Sequence, residues 1–167
     1  ELAVLYSAMA NRGKIYRPYL IKEVRDPVSN RVLRQVRPDL IHEVPISQKS
    51  LDIVQEGMRA VVSRGTAQHL NRPDYPPIAG KTGTVQTRSR IKAANHAWFA
   101  SFAPYGAPIE EQIVVVVFVE FGMGGSAAAA PIAGDVFHAV FPDWTPTVHP
   151  QIKPDRKEET PPNGKPQ

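Results

Sequence analysis

A lysine and two threonines stand close together at Lys81-Thr82-Gly83-Thr84, and their side chains are of the types that bind a carboxylate. A carboxylate is bound by a cation and by hydrogen-bond donors placed beside it. Lys81 supplies the cation. If the segment is a strand, Thr82 and Thr84 point their hydroxyl groups to one face, and Gly83 allows a neighbour to approach closely on the other. The tetrapeptide is therefore a candidate for binding a carboxylate.

Three strand-like segments position this tetrapeptide. After the proline-rich stretch 72–77, apolar and β-branched residues predict strands over 78–86, 97–105 and 112–121. A short connection joins the last two, which suggests antiparallel neighbours. The third is apolar on both faces from Ile113 to Val119, so we expect helices to cover it on both sides. Trp98 and Phe99 are consecutive, so one faces the core and the other is free to face a groove; the sequence does not decide which.

Helical periodicity predicts three helices around these strands. The first ends near residue 12, before Gly13, and the second begins at a cap formed by Ser47 or Ser50 and stops at Gly65. Between them, extended stretches 15–24 and 31–36 flank an Asp-Pro turn and predict a hairpin. The last helix begins near 128–131. The residues expected to face the core are Leu51, Val54, Met58, Val61 and Val62 in the second helix, and Ile132, Val136, Phe137, Val140 and Phe141 in the last. This order indicates an α+β fold, with helices packed on an antiparallel sheet.

Composition limits the classes of protein that the chain can belong to. It has 167 residues, a net charge of +4 without a dense basic run, and no cysteine, so nucleic-acid binding is not favoured and disulfides and thiolate metal sites are excluded. The longest apolar run has seven residues, whereas a membrane helix needs about 20. The first residues show helical periodicity without a signal peptide, so we expect the chain to begin inside a larger protein. Residues 142–167 are rich in proline and charge and predict a flexible tail.

The sequence around the tetrapeptide resembles one family in particular. Residues 79–85 are similar to the Lys-Thr-Gly box of penicillin-binding proteins and serine β-lactamases. The likeness extends to Gly57-Met58-Arg59 with the Gly65-Thr66-Ala67 exit of that helix, to residues 96–104, and to the valine strand, the glycines and the final helix. Over residues 1–141 the chain resembles the C-terminal part of the transpeptidase domain of class B penicillin-binding proteins, of the elongation type.

This resemblance implies a function. The full-length protein would be a serine-type D,D-transpeptidase that cross-links peptidoglycan stem peptides ending in D-Ala-D-Ala, binds β-lactam antibiotics, and faces the periplasm from a membrane anchor outside this chain. Lys81, Thr82, Gly83 and Thr84 would bind the substrate. Lys81 and Thr84 would also take part in catalysis, with the Thr84 N–H as one of two oxyanion-hole donors. The implied partners are the N-terminal part of the same domain and a membrane glycosyltransferase of the elongation machinery; no cofactor, metal or nucleic acid is implied.

Two motifs of that family do not occur before Lys81. The family nucleophile lies in Ser-x-x-Lys and its proton relay in Ser-x-Asn, and no segment N-terminal to Lys81 matches either. One match, Ser89-Arg90-Ile91-Lys92, falls in the connection between two predicted strands, where such a nucleophile is not expected. The chain alone should therefore not be acylated. A non-catalytic β-lactam sensor or pseudoenzyme of the same fold stays open, as does a class A β-lactamase, although the stretch 11–20 and the long tail favour the transpeptidase.

Other patterns point elsewhere with less support. Gly80-Lys81-Thr82 matches the end of a phosphate-binding loop, but Tyr75 occupies the position of the first glycine of such a loop. Residues 122–127 fit a dinucleotide-binding pattern, yet the helix after them runs into prolines, so a tight strand-to-helix connection near the substrate groove is favoured. The five histidines lack metal-binding spacing. Arg88, Arg90 and Lys92 form a basic loop that would either attract an anionic precursor or simply be solvated.

Overall fold

The computed structural model describes residues 1–86 and 95–145 of the chain. Three α-helices and seven strands make up most of its regular structure. The helices are α1 (Leu2–Ala10), α2 (Gln48–Ser63) and α3 (Ala130–Val140), and the strands are β1 (Lys14–Tyr16), β2 (Glu23–Arg25), β3 (Val32–Gln35), β4 (Leu40–Glu43), β5 (Ala79–Val85), β6 (His96–Ala103) and β7 (Ile113–Val119). The predicted α+β class is confirmed. None of the helices in these two ranges has the length and hydropathy that a membrane crossing requires.

The largest sheet is antiparallel and has the order β5-β6-β7. Its three strands agree with the predicted segments to within about two residues at each end. The register places Gly83 opposite Trp98 and Lys81 opposite Ala100, and Phe99 lies between Thr82 on one side and Val117 on the other. β5, which carries the candidate site, is therefore an edge strand of this sheet.

Apolar clusters cover both faces of the sheet. The α3-side cluster contains the buried residues Val62, Ala67, Leu70, Tyr75, Ile78, Phe99, Ala103, Ala129, Ala130, Ala133 and Phe137. The α1-side cluster contains Tyr6, Ala10, Met58, Ala79, Ala100 and Phe102. In β7, Val115 and Val117 pack on the α3-side cluster, and Val114 and Val116 pack on the α1-side cluster. The prediction that β7 is covered on both sides is confirmed.

The second helix begins where the sequence predicts. Ser47 is the N-cap, and its hydroxyl accepts a hydrogen bond from the Ser50 N–H at 3.1 Å. The buried face contains Leu51, Met58 and Val62, with Val61 partly buried. Val54 was predicted to be buried, but it is 39% exposed. The inner face follows the spacing 51, 55, 58, 62, so Gln55 takes the inner position and donates to the Met9 carbonyl at 2.5 Å.

The predicted buried face of the last helix is wrong at three of its five residues. Ile132, Val136 and Val140 are exposed, whereas Phe137 is fully buried and Phe141 is partly buried against the α3-side cluster. The helix buries its small residues instead, with Ala130, Ala133 and Gly134 beside Phe137. A Cβ at residue 134 would lie 2.8 Å from atoms of both Leu70 and Tyr75, so the glycine allows this close approach. Proline in the first turn is confirmed.

The excursion between the first two helices differs in part from the prediction. β2 and β3 form the expected antiparallel hairpin around the turn at Asp26. However, 15–24 is not one strand, because β1 pairs with β4, which was not predicted. The first helix ends at Ala10, two residues early, and Gly13 adopts a φ of +92° just after it. Three predictions lie outside the described residues: the basic loop at Arg88, Arg90 and Lys92, the match at 89–92, and the tail from 146 onward.

Candidate functional site

The candidate site is the middle of β5, and alternation along the strand divides its side chains between two faces. Lys81 and Gly83 share the face of Ala79, which belongs to the α1-side cluster, while Thr82 and Thr84 share the opposite face. The two hydroxyl groups therefore lie on one face, as expected for a strand. The Lys81 ammonium reaches along the strand and donates to the Thr82 carbonyl at 2.6 Å. Lys81 is exposed and Thr82 is partly buried, on opposite faces of this edge strand, and the long lysine side chain brings its ammonium to the Thr82 backbone.

Two glycines of β5 allow aromatic side chains of β6 to pack on its backbone. A Cβ at residue 83 would lie 2.0 Å from the indole of Trp98, and a Cβ at residue 80 would lie 2.4 Å from the ring of Phe99. Phe99 is fully buried in the α3-side cluster, whereas Trp98 is partly buried and meets Tyr6 edge-on at 6.4 Å between ring centroids. The question left open by the sequence is thus answered: Phe99 faces the core, and Trp98 lies over Gly83.

The glycine segment after β7 forms a connection that presses on the same strand. It leads into a π-helical turn, Gly125–Ala129, which continues into α3. A Cβ at residue 125 would lie 2.4 Å from the Trp98 carbonyl oxygen and 2.7 and 2.8 Å from backbone atoms of Gly83. The backbone of the turn therefore rests directly on β5 and β6. This supports the tight strand-to-helix connection, and the antiparallel sheet argues against a dinucleotide-binding unit, which requires parallel strands.

Two residues that the sequence did not identify as site residues are linked to the tetrapeptide. The Thr82 and Thr66 hydroxyl oxygens are 3.1 Å apart, and the Ser126 hydroxyl donates to the Thr66 carbonyl. Thr66 lies in the loop after α2, and Ser126 lies in the π-helical turn. The Gly65-Thr66-Ala67 exit was a usable signal for Thr66. No sequence pattern identifies Ser126, because its contact spans 60 residues of chain.

Tyr6, Tyr75 and His96, beside the sheet, are held by burial, hydrogen bonds or ring contacts. Burial raises the pKa of Tyr6 above its ordinary value of 10.0. Burial also raises the pKa of Tyr75, and the hydrogen bond from its hydroxyl to Asp135 at 3.2 Å acts in the same direction. His96 accepts at Nδ1 from the Phe121 N–H at 3.2 Å and packs against the Phe118 ring. Among the described residues, no group of three or more His, Asp or Glu residues could hold a metal ion.

Comparisons with known proteins agree with this fold. Residues 1–138 match the family described as penicillin binding protein transpeptidase domain. Stage V sporulation protein D of Bacillus subtilis is 30% identical over 141 residues, which are 82% of this chain and 22% of that protein. Peptidoglycan D,D-transpeptidase MrdA of Haemophilus influenzae is 29% identical over 152 residues, which cover 81% of this chain and 22% of that protein. The chain thus spans about a fifth of the length of these curated relatives.

Solved structures give the same result. A structure of a peptidoglycan synthase complex, described as coordinating polymerization and crosslinking, aligns with a TM-score of 0.72 at 29% identity and covers 86% of this chain and 23% of that one. A crystal structure of Pseudomonas aeruginosa PBP2 aligns with a TM-score of 0.61 at 36% identity, covering 80% of this chain and 27% of that one.

The chain has a three-stranded antiparallel sheet with a Lys-Thr-Gly edge strand, and its residues 1–138 match the transpeptidase family. It therefore belongs to the penicillin-binding protein transpeptidase domain family. The resemblance inferred from the sequence is confirmed. The relatives and structures of the penicillin-binding protein 2 type are consistent with this chain being part of a class B penicillin-binding protein.

Proposed function

We propose that the full-length protein is a serine-type peptidoglycan D,D-transpeptidase, and that this chain supplies the strand that binds the substrate carboxylate. The support is the family match over residues 1–138 and a relative named as a peptidoglycan D,D-transpeptidase. The observation that carries the proposal is the edge strand β5, on which the Lys81 ammonium lies beside Thr82 and both threonine hydroxyls share one face. We place the protein at the extracytoplasmic face of a bacterial cell membrane, anchored by residues outside this chain.

The reaction we propose proceeds through an acyl-enzyme. A serine outside this chain attacks the carbonyl carbon of the penultimate D-alanine, and the bond to the nitrogen of the terminal D-alanine breaks. The serine proton passes to that nitrogen, so free D-alanine leaves. An amine of a neighbouring stem peptide then attacks the ester carbonyl, forms the new amide, and returns a proton to the serine. A β-lactam would enter the same first step and stay attached.

The residues of β5 have separate roles in this scheme. Lys81 supplies positive charge near the substrate carboxylate, and the Thr82 and Thr84 hydroxyls donate hydrogen bonds to it. The Thr84 N–H is one of the two donors to the oxyanion, and losing one such donor typically costs about 2.7 to 4 kcal/mol of transition-state stabilisation. Gly83 serves by lacking a side chain, since Trp98 occupies the space where one would lie. These roles are those of a half-site whose nucleophile lies elsewhere.

The proposal also specifies partners. The substrate is a stem peptide ending in D-Ala-D-Ala, the inhibitors are β-lactam antibiotics, and the N-terminal part of the transpeptidase domain completes the site. A membrane glycosyltransferase of the elongation machinery is the assembly partner we expect. Because neither Ser-x-x-Lys nor Ser-x-Asn occurs before Lys81, the chain alone is expected to be inactive.

The test uses the full-length protein and a fluorescent penicillin. Lys81→Met removes the charge and Thr82→Val removes the hydroxyl while keeping its shape. A hydrogen bond to a charged group is worth about 1.5 to 3 kcal/mol, so we expect Thr82→Val to lower the second-order acylation rate by about ten- to a hundredfold. Lys81→Met should lower it at least as much. Lys14→Met is the matched control, because Lys14 is an exposed lysine on β1 and its removal should leave the rate unchanged.

A second measurement separates an enzyme from a sensor of the same fold. The full-length protein is given an amine acceptor and a peptide donor ending in D-Ala-D-Ala, and cross-linked product is quantified. An enzyme forms product and releases D-alanine, whereas a sensor is labelled by penicillin and forms none. Absence of covalent labelling of the unmodified protein would overturn the proposed function. Unchanged labelling of the Lys81 and Thr82 variants would overturn their roles.

A further inference from the structure

The loop that follows α2 holds one side chain in a fixed place. A Cβ at residue 65 would lie 2.8 Å from the Val61 Cα and 2.9 Å from the Val61 carbonyl oxygen, so glycine allows the chain to fold back on the helix. The Ala67 N–H then donates to the Val61 carbonyl at 2.9 Å, and the Ala67 side chain is fully buried in the α3-side cluster. Thr66 lies between these two anchored residues, and its own side chain is exposed.

The exposed side chain of Thr66 meets the Lys-Thr-Gly strand. Its hydroxyl oxygen is 3.1 Å from that of Thr82, across 16 residues of chain. The backbone of Thr66 is held as well, because its carbonyl accepts the Ser126 hydroxyl from the π-helical turn. The π-helical turn itself packs on the backbone of Gly83, and this close approach requires a glycine at residue 125. Three elements therefore meet at Thr66.

The direction of the hydrogen bond between the two hydroxyls follows from the ligand. An ionised carboxylate only accepts hydrogen bonds, so a Thr82 hydroxyl that binds it must donate its one proton to it. The Thr82 oxygen keeps its lone pairs and can accept from Thr66. The Thr66 hydroxyl, which has its own proton, can supply that bond. Donation from Thr66 to Thr82 also polarises the Thr82 hydroxyl and strengthens its bond to the carboxylate.

We propose that Thr66 is a positioning residue that orients the Thr82 hydroxyl toward the substrate carboxylate by donating a hydrogen bond to it. This rests on the proposed function, since it needs a carboxylate at Thr82. Without the Thr66 donor, the Thr82 hydroxyl rotates among its staggered positions and spends only part of the time aimed at the ligand. Thr66 does not touch the substrate in this proposal. It acts through Thr82.

The experiment is a double-mutant cycle in the full-length protein, with the acylation rate by a fluorescent penicillin as readout. Thr66→Val keeps the shape of the side chain and removes the donor, and we expect it to lower the rate by about three- to tenfold. Thr66→Ser keeps the donor and should restore most of the rate. In a protein that already carries Thr82→Val, Thr66→Val should have no further effect, because the hydroxyl it orients is gone. Thermal unfolding of each variant reports any change in stability.

The outcomes separate the two proposals. If Thr82→Val itself leaves the rate unchanged, the proposed function of this strand fails. If Thr82→Val lowers the rate but Thr66→Val does not, only the positioning role fails. A merely structural role for Thr66 predicts that its loss multiplies with that of Thr82→Val and that Thr66→Ser rescues no better than Thr66→Val. Either result would refute the inference.

Discussion

Replacing Gly125 by alanine tests how closely the π-helical turn must rest on β5. The added Cβ would lie 2.4 Å from the Trp98 carbonyl oxygen, whereas ordinary contacts begin at 3.4 Å. The atoms it meets belong to the backbone of two paired strands, so they cannot rotate away. The turn must therefore move off the sheet by about 1 Å. Overpacking of this kind costs about 1 to 3 kcal/mol of stability.

The displacement should reach the site through Ser126, the next residue along the turn. Moving the turn by about 1 Å breaks or lengthens the bond from the Ser126 hydroxyl to the Thr66 carbonyl. Misplacement of a binding group by about 1 Å can cost on the order of a hundredfold in rate. We expect Gly125→Ala in the full-length protein to lower acylation by a fluorescent penicillin by about ten- to a hundredfold, and to lower the thermal midpoint as well.

A neighbouring glycine gives a matched control for this change. Gly124 has an extended backbone, with φ of −145° and ψ of 134°, and a Cβ there would meet nothing within 4 Å. Gly124→Ala should therefore leave both the acylation rate and the thermal midpoint close to those of the unmodified protein. If Gly125→Ala behaves like Gly124→Ala, the turn does not rest on β5 as described. If both variants lose activity equally, flexibility of the glycine segment is the property that matters, and the steric argument is wrong.

Two further predictions concern parts of the chain away from the site. Gly57 lies on the exposed side of α2 with open space around it, so Gly57→Ala should raise the free energy of unfolding by about 0.5 to 1 kcal/mol, measured by denaturant titration. Hydrogen bonds from Ser29 and Val28 lower the pKa of Asp26 below its ordinary 3.8. The ionised carboxylate therefore stabilises the β2–β3 turn at pH values above 3.8. This stabilisation is lost as the pH falls through the lowered pKa. Protection of the Val28 and Ser29 amides, corrected for intrinsic exchange, should fall in that acidic range; a midpoint above 3.8 would contradict the assignment.

The three strands of the largest sheet and the cap of the second helix were the parts of the fold that the sequence predicted well. The run Ile113–Val119 and the segments around residues 80 and 100 have local signals, because β-branched residues and flanking turns act within a few positions. Ser47 could be recognised as a cap because its hydrogen bond spans only three residues. The Lys-Thr-Gly box identified the family only in combination with the sequence around it. Each of these signals is short in range.

The errors arose where distant residues decide the outcome. The last helix has enough apolar residues for a broad stripe, and the sequence favoured Ile132, Val136 and Val140 over the small residues that pack. What decides the matter is the approach of Leu70 and Tyr75 to Gly134, which lies more than 50 residues away in the chain. The pairing of β1 with β4 was missed for the same reason, since both strands are short and their register depends on each other.

The difference between local and long-range contacts also separates the parts of the candidate site that the sequence could propose from those that it could not. The types and alternation of Lys81, Thr82 and Thr84 are local, so the sequence could propose them as site residues, and their roles stay a prediction. What fixes β5 in space is not local: the Trp98 indole covers Gly83 from one face, and the Gly125 turn presses on the same residue from the other. Because both of these contacts come from residues of this chain, we expect the position of Thr82 and Thr84 against β6 to be set without the rest of the transpeptidase domain. We therefore expect Gly125→Ala to alter penicillin binding even in a full-length protein whose proposed nucleophilic serine has been replaced. The noncovalent affinity for penicillin, measured in that background, would show whether the half-site forms independently.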